Sequence, residues 1–451
     1  MKEALLISAI AVALAEFFVP VNPAVLVLDY VLLVVMWYLF RGDLLAGERI
    51  LKLHPNYSRT LHTIFVLGAG ITLFSIDKWG GSFSTVYLFA ALAVLLLGER
   101  PGRFVGVSLS FLAFSHFGRD VWLLLGGLVQ TAVASFTLRS VYRRADVVKS
   151  ALVASISFSL VSVLKFVVDG FIGNLEIYVS FLNPFVSSVL ILGILPYVEY
   201  ASRIYSNIGL MELGNLNHPL LKELSIKAPG TYQHSTMVAN LAEAAAERIG
   251  VNSLLARVAS YYHDIGKMRR SSFFVENQLD GVNPHDEISP FLSHLILVEH
   301  VKYGQELARK YRLPIPIECI IAEHHGTRVQ SYFYYKAREI DPSVSEDDFR
   351  YPGPKPRFKE SGIIMLADSV EAASRTWKGK THAQIKSLVE DIVMGIFSER
   401  QLDSSGLTLE ELELIIEEFS KVLTTFHHRR IEYPKEVEKF EVQKVRKGSG
   451  G

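Results

Sequence analysis

Histidine and aspartate residues that could bind metal ions are concentrated in the second half of the 451-residue chain. Among the adjacent pairs of such residues, two are informative, His263-Asp264 in YYHDIGK and His324-His325 in AEHHGT. Each pair follows an apolar helical run and precedes a glycine. Because adjacent positions on an α-helix point about 100° apart, both members of a pair can face one ion only near a helix end or where several helices converge.

A single histidine is more often a solvated or capping residue than a metal ligand, so the candidate site depends on the whole set of donors. Mixed imidazole and carboxylate donors suit iron, manganese or zinc better than magnesium or calcium, which prefer oxygen ligands. Two such ions about 3.5–4 Å apart would activate water to cleave a phosphoester, and a carboxylate is their natural bridge. No G-x-x-x-x-G-K-[ST] or G-x-S-x-G motif offers a competing site. The candidate ligands are His234, His263, Asp264, His300, His324, His325 and Asp368.

The elements that must position these ligands are predicted to be helices. From about residue 211, apolar residues recur at three- and four-residue spacing, and few alternating runs suggest a sheet. A polar, proline-rich stretch at 338–360 predicts a surface loop. The predicted helices are 231–249, 252–264, 287–311, 314–325, 361–376, 381–398 and 408–428.

The first 200 residues have a different composition, because they hold only about 26 of the 92 charged side chains. The mean hydropathy of the chain, +0.26, is high for a soluble protein. Apolar stretches near 20 residues can cross about 30 Å of hydrocarbon. A soluble all-α core is the alternative, but such helices normally show polar faces. The predicted spans are 4–20, 22–40, 60–76, 84–98, 103–117, 120–136, 150–171 and 178–200, the first of which is equally a candidate signal peptide.

Charged residues in the loops predict the orientation of these spans. Lysine and arginine are concentrated in loops 41–59, 99–103 and 137–150, so this side should be cytoplasmic, and the chain leaves the last span there. Lys165 and Asp169, four residues apart, predict an ion pair on one helical face. A transporter is disfavoured, because no symmetric pair of broken helices is visible.

Net charge and cysteine count exclude other classes of protein. The formal net charge is zero, which excludes a strongly basic nucleic-acid coat protein and an acidic disordered chain. The single cysteine, Cys319, excludes an intramolecular disulfide framework and a four-cysteine zinc site. No nucleic-acid polymer is therefore expected as a partner.

The pattern H…HD…H…HH…D resembles the HD metal-dependent phosphohydrolase superfamily. Longer sequence motifs, called words below, narrow this resemblance to the seven-transmembrane HD-domain family of bacterial cyclic di-AMP phosphodiesterases. The likeness runs from about residue 84 to 434 and is dense after residue 213. The words are ELGNLNHPLL, APGTYQHS, YYHDIGK, FFVENQ, NPHDEISP, HHGT, FRYPGPKP, LADSVEAASR and RIEYP. The large extracellular domain that full-length members carry after their first span is missing from this sequence.

The resemblance implies an all-helical cytoplasmic domain that hydrolyses cyclic di-AMP to linear pApA, with two iron or manganese ions. It implies that Asp264 bridges two groups of ligands. His263 and Asp264 would also be catalytic, and Lys267 would contact a phosphate, although a solvated lysine at a helix end is the alternative. The first ion would be held by His234, His263, Asp264 and Asp368, and the second by Asp264, His300, His324 and His325.

Together these observations predict an all-α protein of the inner (cytoplasmic) membrane. Residues 1–203 form a polytopic transmembrane bundle in the bilayer, 204–434 a cytoplasmic HD domain, and 435–451 a disordered polar tail. Hydrolysis of another nucleotide, such as cyclic di-GMP or ppGpp, is the first alternative; no Gly-Tyr-Pro word follows the HD pair, which disfavours cyclic di-GMP. A non-catalytic nucleotide-binding membrane receptor is the second. Whether the protein forms a homodimer is left open.

Overall fold

The described part of the chain is helical. The computed structural model describes residues 8–428 except 14–15, 18, 20–21, 46–54, 171–173, 279–282 and 378–379. Within these ranges there is no β-strand, and the β contact found is one isolated bridge between Val329 and Arg350. The predicted all-α fold is therefore confirmed.

The chain divides into two compact units. One comprises residues 1–231 and 261–322, and the other comprises 232–260 and 323–451. The predicted domain boundary between residues 203 and 204 stays a prediction. The predicted tail at 435–451 and much of the predicted stretch at 4–20 lie outside the described residues.

The first unit begins with a bundle of apolar helices. Three of them are long and apolar enough to cross a membrane, at 55–79, 144–169 and 175–202, and shorter apolar helices accompany them. The bundle helices are α1 Pro23–Leu45, α2 Pro55–Trp79, α3 Val86–Leu97, α4 Glu99–His116, α5 Val121–Thr137, α6 Arg144–Asp169 and α7 Asn174–Ser202.

Helix α3 lies in the core of this bundle. Every residue of α3 except Leu95 is buried. Glycines in neighbouring helices allow close packing: a Cβ on Gly102 would lie 2.2 Å from a methyl carbon of Val94, and one on Gly106 would lie 2.2 Å from the Thr131 hydroxyl oxygen. Small residues at such contacts are typical of membrane helix packing.

The turn between α3 and α4 differs from its prediction. A loop was expected at 99–103, but these residues form the first turn of α4, and Gly98 alone joins the two helices. Gly98 has φ +97°, a conformation that glycine adopts without a steric penalty. The 12 residues of α3 span about 18 Å at 1.5 Å per residue, which is less than the thickness of a hydrocarbon core.

Large apolar side chains cover the outward faces of α6 and α7. Leu160 is 67 % exposed, Val167 70 % and Leu182 54 %. A continuous exposed apolar surface is unfavourable in water and suits contact with lipid chains. Pro184 and Pro196 lie inside α7.

Two charged residues of the bundle form contacts that the sequence did not predict. Lys165 lies 4.0 Å from the carboxylate of Asp120 at the start of α5, so the ion pair predicted with Asp169 is replaced by a contact between helices. Asp29 is buried and lies 3.1 Å from the ring of His116.

The end of α7 is attached to the segment that follows α12 (Pro290–Lys310). Arg203 forms a 2.6 Å ion pair with Glu318 and donates a 2.9 Å hydrogen bond to the carbonyl of Leu313. The backbone N–H of Ile315 donates to the Arg203 carbonyl. These contacts fix the last bundle helix to the chain between His300 and His324.

Ten helices follow the bundle, counted within the described ranges. The seven predicted helices are confirmed within three residues at each end, and three short helices were missed. The predicted loop at 338–360 is correct in its middle, although it contains a 3₁₀ turn and the fully buried Phe349. The ten helices are α8 Asn207–Leu213, α9 Pro219–Lys227, α10 Pro229–Arg248, α11 Ser253–Tyr262, α12 Pro290–Lys310, α13 Ile315–Glu323, α14 Ser331–Ile340, α15 Lys359–Ser374, α16 His382–Ser398 and α17 Leu409–His428.

Candidate metal centre

The His263-Asp264 pair lies just beyond the end of α11, as its sequence context predicts. The chain continues as a 3₁₀ turn over Ile265–Arg269. Both side chains are buried, and His263 Nε2 lies 3.3 Å from Asp264 Oδ2. Adjacent side chains in an α-helix point about 100° apart. Because the helix has ended, this restriction does not apply to His263 and Asp264, and the two side chains point into the same region.

His300 is brought to the other oxygen of the same aspartate. Its Nε2 lies 3.4 Å from Asp264 Oδ1, and its Nδ1 contacts the carbonyl of Leu297. A carbonyl only accepts hydrogen bonds, so the Nδ1 proton points to Leu297 and Nε2 faces Asp264. Gly266 allows this approach, because a Cβ there would lie 1.8 Å from the His300 carbonyl oxygen.

The remaining predicted ligands lie on α10, directly after α13 and on α15. His234 on α10 places its Nε2 2.9 Å from Oδ1 of Asp368 on α15. His324 and His325 directly follow α13, with their rings 4.0 Å apart, and His325 Nδ1 lies 3.8 Å from Asp368 Oδ2. Tyr351 stacks on the His325 ring at 4.2 Å.

Two groups of donor atoms in the described residues could each hold a metal ion. Within each group, one donor atom from every residue lies within 4.8 Å of the others. Asp264 belongs to both groups. Imidazole and carboxylate donors at this separation, buried except for the half-buried His325, fit a borderline transition-metal ion. The groups are His234, His263, Asp264 and Asp368, and Asp264, His300, His324 and His325.

Lys267 is buried rather than solvated. Its Nζ lies 2.6 Å from Asp264 Oδ2 and 2.9 Å from Glu276 Oε1, and it also lies over the ring of Phe274. Thr231 donates a 3.0 Å hydrogen bond to the same oxygen of Glu276. The lysine is therefore fixed beside the shared aspartate by a second carboxylate.

Two buried glutamates near the ligands were not identified from the sequence. Glu276 lies in the word FFVENQ, and Glu371 lies three residues after Asp368, so both acids share one face of α15. Glu371 contacts Nδ1 of His234. The helical spacing from Asp368 was the signal that could have revealed Glu371.

Both glutamates have a lowered pKa. Burial is the largest single influence on Glu276 and raises its pKa, but the charge of Lys267 and its hydrogen bond outweigh burial. Burial likewise raises the pKa of Glu371, and the hydrogen bonds and charges of His234 and Arg375 together lower it further than burial raises it. Both side chains are thus ionised near neutral pH.

Comparison with known proteins agrees with both parts of the chain. The family described as "7TM receptor with intracellular HD hydrolase" matches residues 24–206, and the HD domain matches residues 231–373. The first half of the chain is thus similar to the 7TM receptors with an intracellular HD hydrolase, and the second half is similar to HD domains. The apolar helices are accordingly those of a membrane protein, and the buried histidine and aspartate groups lie in a metal-dependent hydrolase domain.

Two curated relatives of this chain are named cyclic-di-AMP phosphodiesterase PgpH. The Bacillus subtilis protein is 43% identical over 291 residues, which are 64% of this chain and 41% of that protein. The Listeria monocytogenes protein is 46% identical over 255 residues, 56% of this chain and 36% of that protein. The chain spans about two fifths of the length of these relatives.

A solved structure is also similar. It is the HD domain of Listeria monocytogenes PgpH in complex with cyclic di-AMP, 48% identical, covering 47% of this chain and 99% of that one, with a TM-score of 0.46.

Proposed function

We propose that this protein is a membrane-bound phosphodiesterase that hydrolyses cyclic di-AMP to linear pApA at a two-metal centre. The observation that carries the proposal is the position of Asp264. Its Oδ2 faces His263 and its Oδ1 faces His300, and these histidines belong to different donor groups. One carboxylate with an oxygen toward each group is what a bridging ligand requires.

We assign the ligands as the resemblance implies, with manganese or iron as the bound ions. When bound, the two ions supply an activated water near neutral pH and neutralise phosphate oxygens. The names of the curated relatives support cyclic di-AMP as the substrate.

The reaction opens the ring of the substrate once. Attack of water on one phosphorus breaks the bond to the 3′ oxygen, which departs with a proton, and leaves a 5′ phosphate. Lys267 acts as a fixed positive charge for a phosphate oxygen, because Glu276 holds its ammonium group beside Asp264. His263 and Asp264 hold the reacting centre in place, and their burial restricts bulk water.

A substrate panel tests the proposal. The purified full chain would receive Mn²⁺ and either cyclic di-AMP, cyclic di-GMP, ppGpp or a single-stranded RNA, and products would be separated by chromatography. We expect pApA from cyclic di-AMP and little turnover of the others. Faster loss of cyclic di-GMP or ppGpp than of cyclic di-AMP would overturn the proposed substrate. Full activity in the double variant His263→Ala/Asp264→Ala would overturn the site.

We further propose that the bundle is embedded in the cytoplasmic membrane with the HD domain in the cytoplasm. An ion pair of 2.5 Å joins Arg144, at the basic loop before α6, to Glu212 after the last span, which supports a common side for both. Reporter fusions after residues 118, 143 and 206 test this orientation. A cytoplasmic signal at 118 with an external signal at 143 and 206 would overturn it. The molar mass in detergent tests whether the protein forms a homodimer.

A further inference from the structure

His234 has a carboxylate on each of its ring nitrogens. Asp368 Oδ1 lies 2.9 Å from Nε2, and the carboxylate of Glu371 contacts Nδ1. The His234 side chain is 2% exposed and that of Glu371 9%, so water does not compete for either nitrogen. The ring is therefore oriented by the protein before any metal ion binds.

Arg375 completes this arrangement one helical turn after Glu371. Its Nη2 donates a 2.8 Å hydrogen bond to Glu371 Oε2 and also lies 3.0 Å from His234 Nδ1. Because α15 carries Asp368 and Glu371 and ends at Ser374, one rigid element presents both acids and the arginine. Glu371 is thus held on both sides, by an imidazole and by a guanidinium group.

The two tautomers of neutral His234 have opposite consequences for metal binding. With the proton on Nδ1, the ring donates to Glu371 and the lone pair of Nε2 is directed at Asp368 and the metal group. With the proton on Nε2, that nitrogen donates to Asp368, Nδ1 accepts from Arg375, and the metal donor is blocked. The Arg375 guanidinium donates its shorter hydrogen bond, 2.8 Å, to Glu371 Oε2 rather than to Nδ1. The same oxygen contacts Nδ1 and receives a second hydrogen bond only when the proton is on Nδ1, so this contact favours the first tautomer.

We propose that Glu371, supported by Arg375, is a positioning residue that keeps the His234 proton on Nδ1 and thereby leaves Nε2 for the first metal ion. A carboxylate behind a metal-bound imidazole also raises the basicity of that ligand. The inference adds a positioning residue to the proposed function. It rests on that function only where it calls the ion held by His234 catalytic.

His300 provides an internal comparison, because its Nδ1 contacts the neutral carbonyl of Leu297 instead of a carboxylate. Loss of the negative charge of Glu371 should therefore weaken the ion held by His234 and spare the ion held by His300. A general loss of structure would weaken both ions alike.

The test measures Mn²⁺ binding to the full chain in detergent, by titration calorimetry with metal analysis after dialysis. Wild type is expected to bind two ions. Glu371→Leu should lose about 10–100-fold in affinity for one ion and keep the other. Glu371→Gln should lose less, because the amide oxygen still accepts from Nδ1. Excess Mn²⁺ should restore activity to Glu371→Leu.

Glu360→Gln is the matched control, since Glu360 is a buried acid on the same helix and accepts a hydrogen bond from the Asn252 backbone. Its metal binding should equal that of wild type. Arg375→Gln, at a one-third exposed side chain, serves if Glu371→Leu does not fold, and it should weaken the same single ion.

The outcomes separate this inference from the proposed function. The inference would be overturned if Glu371→Leu, or Arg375→Gln where that variant is used, bound both ions with wild-type affinity. It would also be overturned if the variant bound both ions equally weakly. Wild type that binds two ions without hydrolysing cyclic di-AMP, together with selective loss in Glu371→Leu, would remove the proposed function and leave the inference standing.

Discussion

Buried polar side chains serve different purposes in the apolar bundle and in the candidate metal centre. In the bundle, Ser110 donates to the Gly106 carbonyl and Thr131 donates to the Gly127 carbonyl, four residues back on their own helices. Around Asp264, by contrast, buried ionisable groups face one another across different helices. A hydroxyl satisfied by its own helix needs nothing from outside, whereas several buried donors in contact favour a cation.

Buried polar residues of these two kinds differ in whether they indicate function. Small hydroxyl residues in the bundle accompany close packing against glycine, as Thr131 does at Gly106. Histidines and carboxylates drawn from distant parts of the sequence accompany chemistry, because burying them without a bound ion is unfavourable. Asp29 and His116 are the exception in the bundle, since both are ionisable and buried.

Removal of the shared carboxylate should have the largest effect. In Asp264→Asn, the bridging charge is lost while the shape is kept, so hydrolysis of cyclic di-AMP should fall about 10³-fold or more, and bound Mn²⁺ should decrease. Ser110→Ala, a buried polar change in the bundle, is the control and should keep the activity of wild type. Equal activity losses in the two variants would contradict the expected difference between buried polar groups in the bundle and those around Asp264.

Removal of the lysine beside Asp264 should have the next largest effect. Lys267→Met keeps the apolar stem and deletes the charge, so kcat should fall about 10²–10³-fold if the ammonium group stabilises a phosphate in the transition state. Bound Mn²⁺ should stay at two ions, since no ligand is removed. An unchanged kcat would show that Lys267 serves only as the ion-pair partner of Asp264 and Glu276.

Overpacking of the bundle should affect stability and spare the metal centre. Gly106→Val would force the α4 backbone away from Thr131 and should lower the free energy of unfolding by about 1–3 kcal/mol. Gly193→Ala, where a Cβ meets nothing within 4 Å, is the control. Thermal unfolding in detergent, with metal analysis of the folded protein, measures both effects. A loss of bound metal in Gly106→Val would contradict the expected separation.

The smallest expected effect is a change in the pH dependence of stability at Glu360. Burial, the largest cause, raises the pKa of Glu360 above its ordinary value. The folded state therefore holds this proton more tightly than the unfolded state, and the stabilisation is lost as the pH rises through the raised pKa. Glu360→Gln should flatten this part of the stability profile, measured by denaturant unfolding between pH 4 and 8. A profile identical to that of wild type would contradict the assignment.

The sequence by itself determined the helical architecture and indicated the candidate ligands. Apolar periodicity located the helices from α10 to α17, apart from α14, because long amphipathic helices carry their packing pattern in the local sequence. The short helices α8, α9 and α14 were missed, since stretches of 7–10 residues contain too few turns for a period to be recognised. The seven predicted ligands were recognised as a set through their motifs.

Only the tertiary structure decided which residues support those ligands. Nothing local in the sequence indicated that Glu276 holds Lys267 or that Lys165 pairs with Asp120. The spacing of Glu371 from Asp368 indicates a shared helical face, but it does not identify His234 as the partner of Glu371. Each contact joins side chains that are distant in sequence or lie on different elements, so it depends on how helices pack. Periodicity specifies which face of a helix is buried, but the partner of a buried charge is fixed only when the chain has folded, because Coulomb and hydrogen-bond energies depend on distances of a few ångströms.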